Sequence, residues 1–320
     1  MSTLLQVDDV HKRYPIYGGI LKRVINNVKA VSGVSLKLEK GETLGLVGES
    51  GCGKSTLGRV IMGLEKPSEG RIVFMGRDIS SLSEKELRKE RENFQIIFQD
   101  PFSSLNPKMT VFKLLAEPIK NFNPKISKGR LKSKVEKLMQ DVGLRPEYAS
   151  RYPHEFSGGQ RQRISIGRAM ACDPSLIICD EPVSALDVSI QAQILNLLIT
   201  LQHKYNLTLV FISHDLHVVK HISDKIIVMY LGRFVEMGDS EDIYNNPMHP
   251  YTKALLSSVP IAKAGKKTER IILQGDVPSP IDPPTGCAFH PRCPLADEEC
   301  KNKSPQLKTI KGRQVSCHKV

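Results

Sequence analysis

This chain has no run of eighteen apolar residues, so no segment reads as a membrane-spanning helix. The N-terminal MSTLLQVDDVHKRY lacks secretory character, which makes a cytosolic chain the expectation. No Cys-x-x-Cys pair occurs among the seven cysteines, so the usual zinc knuckle is missing. No single basic arm accounts for the net charge of +12: lysine and arginine are spread along the sequence. That distribution favours a solvated surface, with attraction to anionic lipid headgroups as the alternative, and argues against nucleic acid as a partner.

What is present begins with GESGCGKST, Gly48 to Thr56, behind the apolar run Thr43 to Val47. A buried strand feeding a Gly-rich turn and then a helix is the setting of a P-loop. Gly48, Gly51 and Gly53 let successive N–H groups of Gly48, Glu49, Ser50, Gly51, Cys52 and Gly53 turn inward on phosphate oxygens, and a helix starting near Lys54 adds its positive end. Lys54 reaches the β- and γ-phosphates, the Ser55 hydroxyl suits Mg²⁺, and Thr56 supports the α-phosphate. A second apolar strand, Leu176 to Cys179, ends in Asp180 and Glu181. Carboxylates at the C-terminal end of a strand in an open α/β sheet stand where ligands bind. Asp180 is placed to hold Mg²⁺, and Glu181 to polarise the water attacking a γ-phosphate.

FSGGQ, Phe156 to Gln160, precedes a helical pattern in which Ile164, Ile166, Ala169 and Met170 supply an apolar face. A helix start built from small residues binds anions. With the two phosphate motifs in place, the chain resembles the nucleotide-binding subunit of an ABC transporter, and FSGGQ is similar to that family's signature. The resemblance implies that Ser157, Gly158, Gly159 and Gln160 complete the ATP pocket of an opposing subunit in a head-to-tail dimer. It also implies that Gln99, after FQIIF, contacts Mg²⁺ or the attacking water and opens a turn-rich loop toward the membrane partner. SALD, with Asp187, resembles the D-loop at the dimer interface, and His214 resembles the switch histidine on the γ-phosphate. Tyr14 is the expected adenine-stacking ring, with Tyr17 as competitor. Residues 15–28 form an insertion that spacing does not explain and that is available to a partner.

The apolar runs near 43–47, 175–179, 207–213 and 225–230 alternate with helical patterns such as Ile190 to His203. This alternation predicts an α/β fold with a mainly parallel sheet, carrying an inserted helical subdomain over about 100–165. The expected domains are an ABC ATPase domain over 1–260, a Pro-rich linker over 261–284 and a small Cys-containing extension over 285–320. Cys287, Cys293, Cys300 and Cys317 lie in that extension, separated by five, six and sixteen residues. Clustered cysteines in a cytosolic chain suggest metal, and these spacings do not identify which. Cys52, Cys172 and Cys179 read as small core or loop residues.

The tail resembles that of the ATPase subunits of oligopeptide and dipeptide ABC importers, and FQDPFSSLNP is most like their F-type member. In that subfamily the four cysteines can hold a [4Fe-4S] cluster, with zinc or no metal as alternatives. The resemblance implies ATP and Mg²⁺, a D-type ATPase as heterodimer partner, two transmembrane permease subunits, and indirectly an extracytoplasmic peptide-binding protein. It places the chain peripherally on the cytoplasmic face of the membrane. A soluble ABC ATPase acting on ribosomes or DNA is the rival. That class usually has two cassettes in one chain or a long coiled-coil insertion, and neither occurs here. An iron- or redox-sensing ATPase is a second rival. The tail is expected to form a domain separate from the P-loop.

Overall fold

The computed structural model describes residues 2–19, 22–258 and 271–320. They form two compact units. One contains Ser2, Glu39–Glu42 and Leu82–Phe211; the other contains Thr3–Leu38, Thr43–Ser81 and the described part of Ile212–Val320. The division falls neither at 260 nor at 284. The Cys-containing tail belongs to the same unit as the P-loop segment, and residues 261–270 of the expected linker lie outside the described residues.

The first unit is mostly helical. Val111–Phe122 starts at Thr110, whose hydroxyl accepts the Lys113 N–H at 3.4 Å, and it buries Val111, Leu114, Leu115 and Ile119. Lys128–Asp141 starts at Ser127 and buries Leu131, Val135, Leu138 and Met139, an i, i+4, i+7, i+8 stripe. Gly158–Met170 buries Ile164, Ile166, Ala169 and Met170, the face expected from the sequence. The long helix Val188–Tyr205 contains the predicted Ile190–His203 pattern. These helices accompany two parallel strands, Phe94–Ile97 and Leu176–Asp180, in register from Phe94 opposite Leu176 to Ile97 opposite Cys179. All five residues of Leu176–Asp180 are buried, which is why the run is continuously apolar until its last residue.

The second unit is richer in antiparallel pairing than the sequence reading anticipates. Thr43–Val47 and Lys225–Tyr230 do pair in parallel, from Leu44 opposite Lys225 to Val47 opposite Val228. Beyond them Arg233–Asp239, Arg313–Val315 and Lys308–Ile310 add antiparallel strands. A separate sheet orders Arg23–Glu39, Thr3–Gly18, Glu69–Phe74 and Arg77–Asp78, the last two pairs antiparallel. These antiparallel strands come in addition to the parallel pairing expected of the α/β fold. Three of the hairpins turn on an X-Gly pair with both residues at positive φ: Met75 (50°) and Gly76 (79°), Leu231 (43°) and Gly232 (76°), Lys311 (49°) and Gly312 (80°). That is the two-residue turn whose twist suits a hairpin, and here its first residue is not the Asn or Asp that announces it in sequence.

The insertion at 15–28 is largely explained by strand length. It falls at the adjoining ends of the 16-residue strand Thr3–Gly18 and the 17-residue strand Arg23–Glu39, leaving Tyr17, Val24 and Ile25 exposed. Residues 20 and 21 lie outside the described residues.

The tail has no independent core. Phe289 is 1% exposed and meets Tyr230, Tyr251 and His249 at ring-centroid separations of 5.2, 5.4 and 5.7 Å. Arg313–Val315 joins the sheet through Val315 opposite Glu236, and the Lys29 N–H donates to Pro280 O at 2.9 Å. An apolar cluster and a shared ladder therefore bind the extension into the P-loop unit. The expectation of a separate tail domain is overturned for this reason.

Candidate functional site

The P-loop follows Thr43–Val47 and opens into the helix Lys54–Ile61. Gly48 sits at φ 156°, and a Cβ there would lie 2.2 Å from Met229 O; Gly53 sits at φ 105°, and a Cβ there would lie 2.1 Å from Ala30 O. At both positions neighbouring backbone leaves room for hydrogen only. Lys54 is 4% exposed, and its ammonium donates to Gly48 O at 2.7 Å and Glu49 O at 3.0 Å. A buried cation is thus held inside a ring of backbone, beside the start of a helix. That is the electrostatic environment a polyphosphate needs. Cys52 is buried, and burial raises its thiol pKa, so it stays protonated and acts as packing.

Tyr14 belongs to the same unit. Its hydroxyl bonds Glu65 and Thr56, burial and Glu65 raise its pKa, and the Lys12 ammonium lies 5.0 Å from the ring centroid. These contacts tie Tyr14 to the first turn after the P-loop. Tyr17 is 60% exposed, so packing fixes it less. His214 follows the strand Thr208–Ser213 and is exposed.

In the other unit, Asp180 is the buried last residue of its strand and Glu181 the first beyond it. Glu181 has φ 47°, a left-handed conformation costing a non-glycine residue on the order of 1 kcal/mol. Ser184 holds it there, its N–H and its hydroxyl donating to Glu181 O at 3.3 and 3.1 Å. The Gln99 amide donates from Nε2 to Glu181 Oε2 at 3.2 Å. Residues 82 positions apart therefore meet.

Ser157 caps Gly158–Met170 in a capping box: its hydroxyl accepts the Gln160 N–H at 3.4 Å, and Gln160 Oε1 accepts the Ser157 N–H at 3.0 Å. Asp187 heads Val188–Tyr205 without a side-chain cap bond, so its carboxylate is not committed to its own helix. Gln191 steadies the intervening turn by donating to Val183 O and Leu186 O, both at 3.0 Å. A Cβ on Gly158 would lie 3.5 Å from Leu186, and one on Gly159 2.6 Å from Ile190. FSGGQ and SALD thus form one continuous patch. The oxygen donors of Ser55, Gln99 and Asp180 are of the hard type that Mg²⁺ takes.

The tail cysteines give a different result. Burial raises the thiols of Cys287, Cys293 and Cys317, and each also feels other cysteines of the set, including Cys300. Yet among the described residues no group of three or more Cys, His, Asp or Glu is gathered to hold a metal. The expected assembled ligand set is not present in this arrangement. Neutral thiols have no mutual attraction and thiolates repel, so only a cation supplies the free energy to close such a site. Four cysteine sulfurs in one segment are a donor type that fits a soft metal chemically.

Two residues near the P-loop escaped the sequence reading. The Tyr251 hydroxyl accepts the Glu49 N–H at 2.8 Å, and Arg292 forms a two-pronged ion pair with the Glu49 carboxylate. The only local signals were unusual NPMHPYTK and FHPRCP stretches, whose destination no short-range pattern encodes.

Comparison with known proteins agrees with both parts of the chain. Residues 31–184 match the family described as ABC transporter, and residues 235–300 match the one described as oligopeptide/dipeptide transporter, C-terminal region. The chain is 56% identical to the oligopeptide transport ATP-binding protein AppF of Bacillus subtilis, over 99% of this chain and 97% of the relative. It is 54% identical to the oligopeptide transport ATP-binding protein OppF of Salmonella typhimurium, over 100% and 97%. Among solved structures, a dimeric ATP-binding cassette in a post-hydrolysis state bound to ADP and Pi is similar, with a TM-score of 0.66 and 28% identity over 74% of this chain and 99% of that one.

Proposed function

Because this chain belongs to the ATP-binding proteins of oligopeptide and dipeptide ABC transport, we propose that it hydrolyses ATP to power peptide uptake through separate membrane subunits. The observation that carries this reading is the end-to-end likeness, which includes the C-terminal region as well as the cassette. No helix among the described residues is long and apolar enough to cross a membrane, which supports a peripheral place on the cytoplasmic face.

In the proposed reaction Lys54 neutralises the β- and γ-phosphates while the P-loop N–H groups orient them. Tyr14 stacks on adenine. Ser55, Asp180 and Gln99 would hold Mg²⁺, which supplies charge neutralisation when bound. Glu181, steadied by Gln99, polarises the attacking water, and His214 contacts the γ-phosphate. Ser157, Gly158, Gly159 and Gln160 serve the nucleotide of an opposing subunit, with Asp187 at the contact between them. Two bound ATP molecules close the dimer. The loop from Gln99 to Pro107 passes closure to the pore, and hydrolysis reopens it.

We assign the opposing position to a D-type ATPase. Gentle purification of the tagged chain from its own membranes should bring down two permease subunits and a second ATPase. Recovery with ribosomes or DNA and without permeases would support the rival class instead.

The four tail thiols carry a further proposal, a [4Fe-4S] cluster on Cys287, Cys293, Cys300 and Cys317. Their grouping in one short C-terminal segment supports it. Anaerobically purified protein should be brown and hold iron and acid-labile sulfide in equal amounts, and Cys293→Ser should bleach it. Stoichiometric zinc without sulfide would replace the cluster with a zinc site. Since the tail shares a core with the P-loop unit, Cys293→Ser should also lower the melting temperature of the whole unit.

A further inference from the structure

The P-loop holds a carboxylate at its second residue, in the loop that must receive a polyanion. Glu49 also accepts the Lys54 ammonium through its backbone oxygen, at 3.0 Å, so its carboxylate stands on the same residue that helps seat the phosphate-binding cation. An unpaired negative charge there would oppose ATP. It is not unpaired. The Arg292 guanidinium donates from Nη1 to Glu49 Oε2 at 2.6 Å and from Nη2 to Oε1 at 3.1 Å, across 243 positions of sequence. The arginine side chain is 8% exposed and the glutamate 27%.

The pair is built in from both sides. Arg292 follows the buried Phe289 in the short turn His290–Arg292, and its guanidinium stands beside the buried Tyr230. The buried Tyr251 accepts the Glu49 N–H and packs 4.8 Å from Tyr230, ring centre to ring centre. Thus Arg292 holds the side chain of Glu49 and Tyr251 its backbone. A two-pronged guanidinium–carboxylate pair fixes orientation as well as charge.

We propose that Arg292 is a positioning residue for ATP: it neutralises Glu49 and holds the P-loop's second residue, so that the C-terminal extension completes the nucleotide site of its own chain. The proposal rests on the P-loop assignment above. It differs from a purely structural role in one respect, because deleting the Glu49 charge should remove most of the need for Arg292.

The test is a double-mutant cycle on the full chain, reading equilibrium binding of MgATP against a fluorescent ATP analogue, with thermal melting to confirm folding. Arg292→Gln should weaken MgATP binding about tenfold, and Arg292→Lys by less, because it keeps the charge and loses the fork. Adding Arg292→Gln to Glu49→Gln should cost less than about threefold. MgATP binding by Arg292→Gln equal to the unmodified chain, or an equal loss in both backgrounds, would overturn the proposal. If Arg292→Gln alone fails to fold, the lysine variant and the double variant still close the comparison. Lys54→Ala separates the two readings: MgATP binding that survives it discards the P-loop assignment, whereas its loss beside a neutral Arg292→Gln discards only this inference.

Discussion

Glu181→Gln should slow steady-state ATP hydrolysis by a factor of about 10² to 10⁴ while leaving MgATP binding close to normal. The amide preserves the shape of the side chain, and the left-handed backbone at φ 47° depends on Ser184 rather than on the carboxylate. What is lost is a carboxylate able to polarise water beside the Gln99 amide, 3.2 Å away. With chemistry blocked and binding intact, dimers should accumulate with ATP trapped between them, visible as a larger species in light scattering when ATP is added. Unchanged turnover in an assembly with both sites so altered would remove Glu181 from the role.

Ser157→Arg should abolish ATP-driven dimer closure, and hydrolysis with it, while the isolated chain binds MgATP normally. Ser157 is exposed, and its hydroxyl is engaged by its own capping box, so a long cation there obstructs an approaching surface rather than its own P-loop. Losing the cap costs about 1 kcal/mol, which Ser157→Asp controls for. Aspartate also caps a helix, but it places a negative charge toward the opposing γ-phosphate, so closure should fail again. Lys54→Ala should give the opposite pattern, losing binding in the isolated chain. Equal loss of MgATP affinity in isolated Ser157→Arg and Lys54→Ala would place Ser157 in its own chain's pocket and end the head-to-tail assignment.

The parts of the chain that could be read directly are those whose physics is local. GESGCGKST carries its turn within nine residues, because Gly48, Gly51 and Gly53 all take positive φ. LIICD is apolar because all of Leu176–Asp180 is buried, and Ser157 with Gln160 states a capping box three residues long. Helix and strand periods likewise exposed most of Val188–Tyr205 and Thr208–Ser213.

Other features depended on partners distant in sequence. The hairpins at Met75-Gly76, Leu231-Gly232 and Lys311-Gly312 lack the Asn or Asp that makes such turns audible, so the antiparallel strands they join could not be read beside the parallel ones. Residues 15–28 looked like an insertion because strands of 16 and 17 residues exceed any ordinary expectation.

By itself, then, the sequence determined a phosphate-binding α/β ATPase with a Cys-bearing tail, because glycine turns, strand ends and helix caps are set by contacts a few residues apart. Only the tertiary structure decided that this tail is part of the P-loop unit, for the Phe289 cluster reaches back to Tyr230 and the Arg292–Glu49 pair joins residues 243 positions apart, and no local propensity records which buried charge a distant carboxylate will meet.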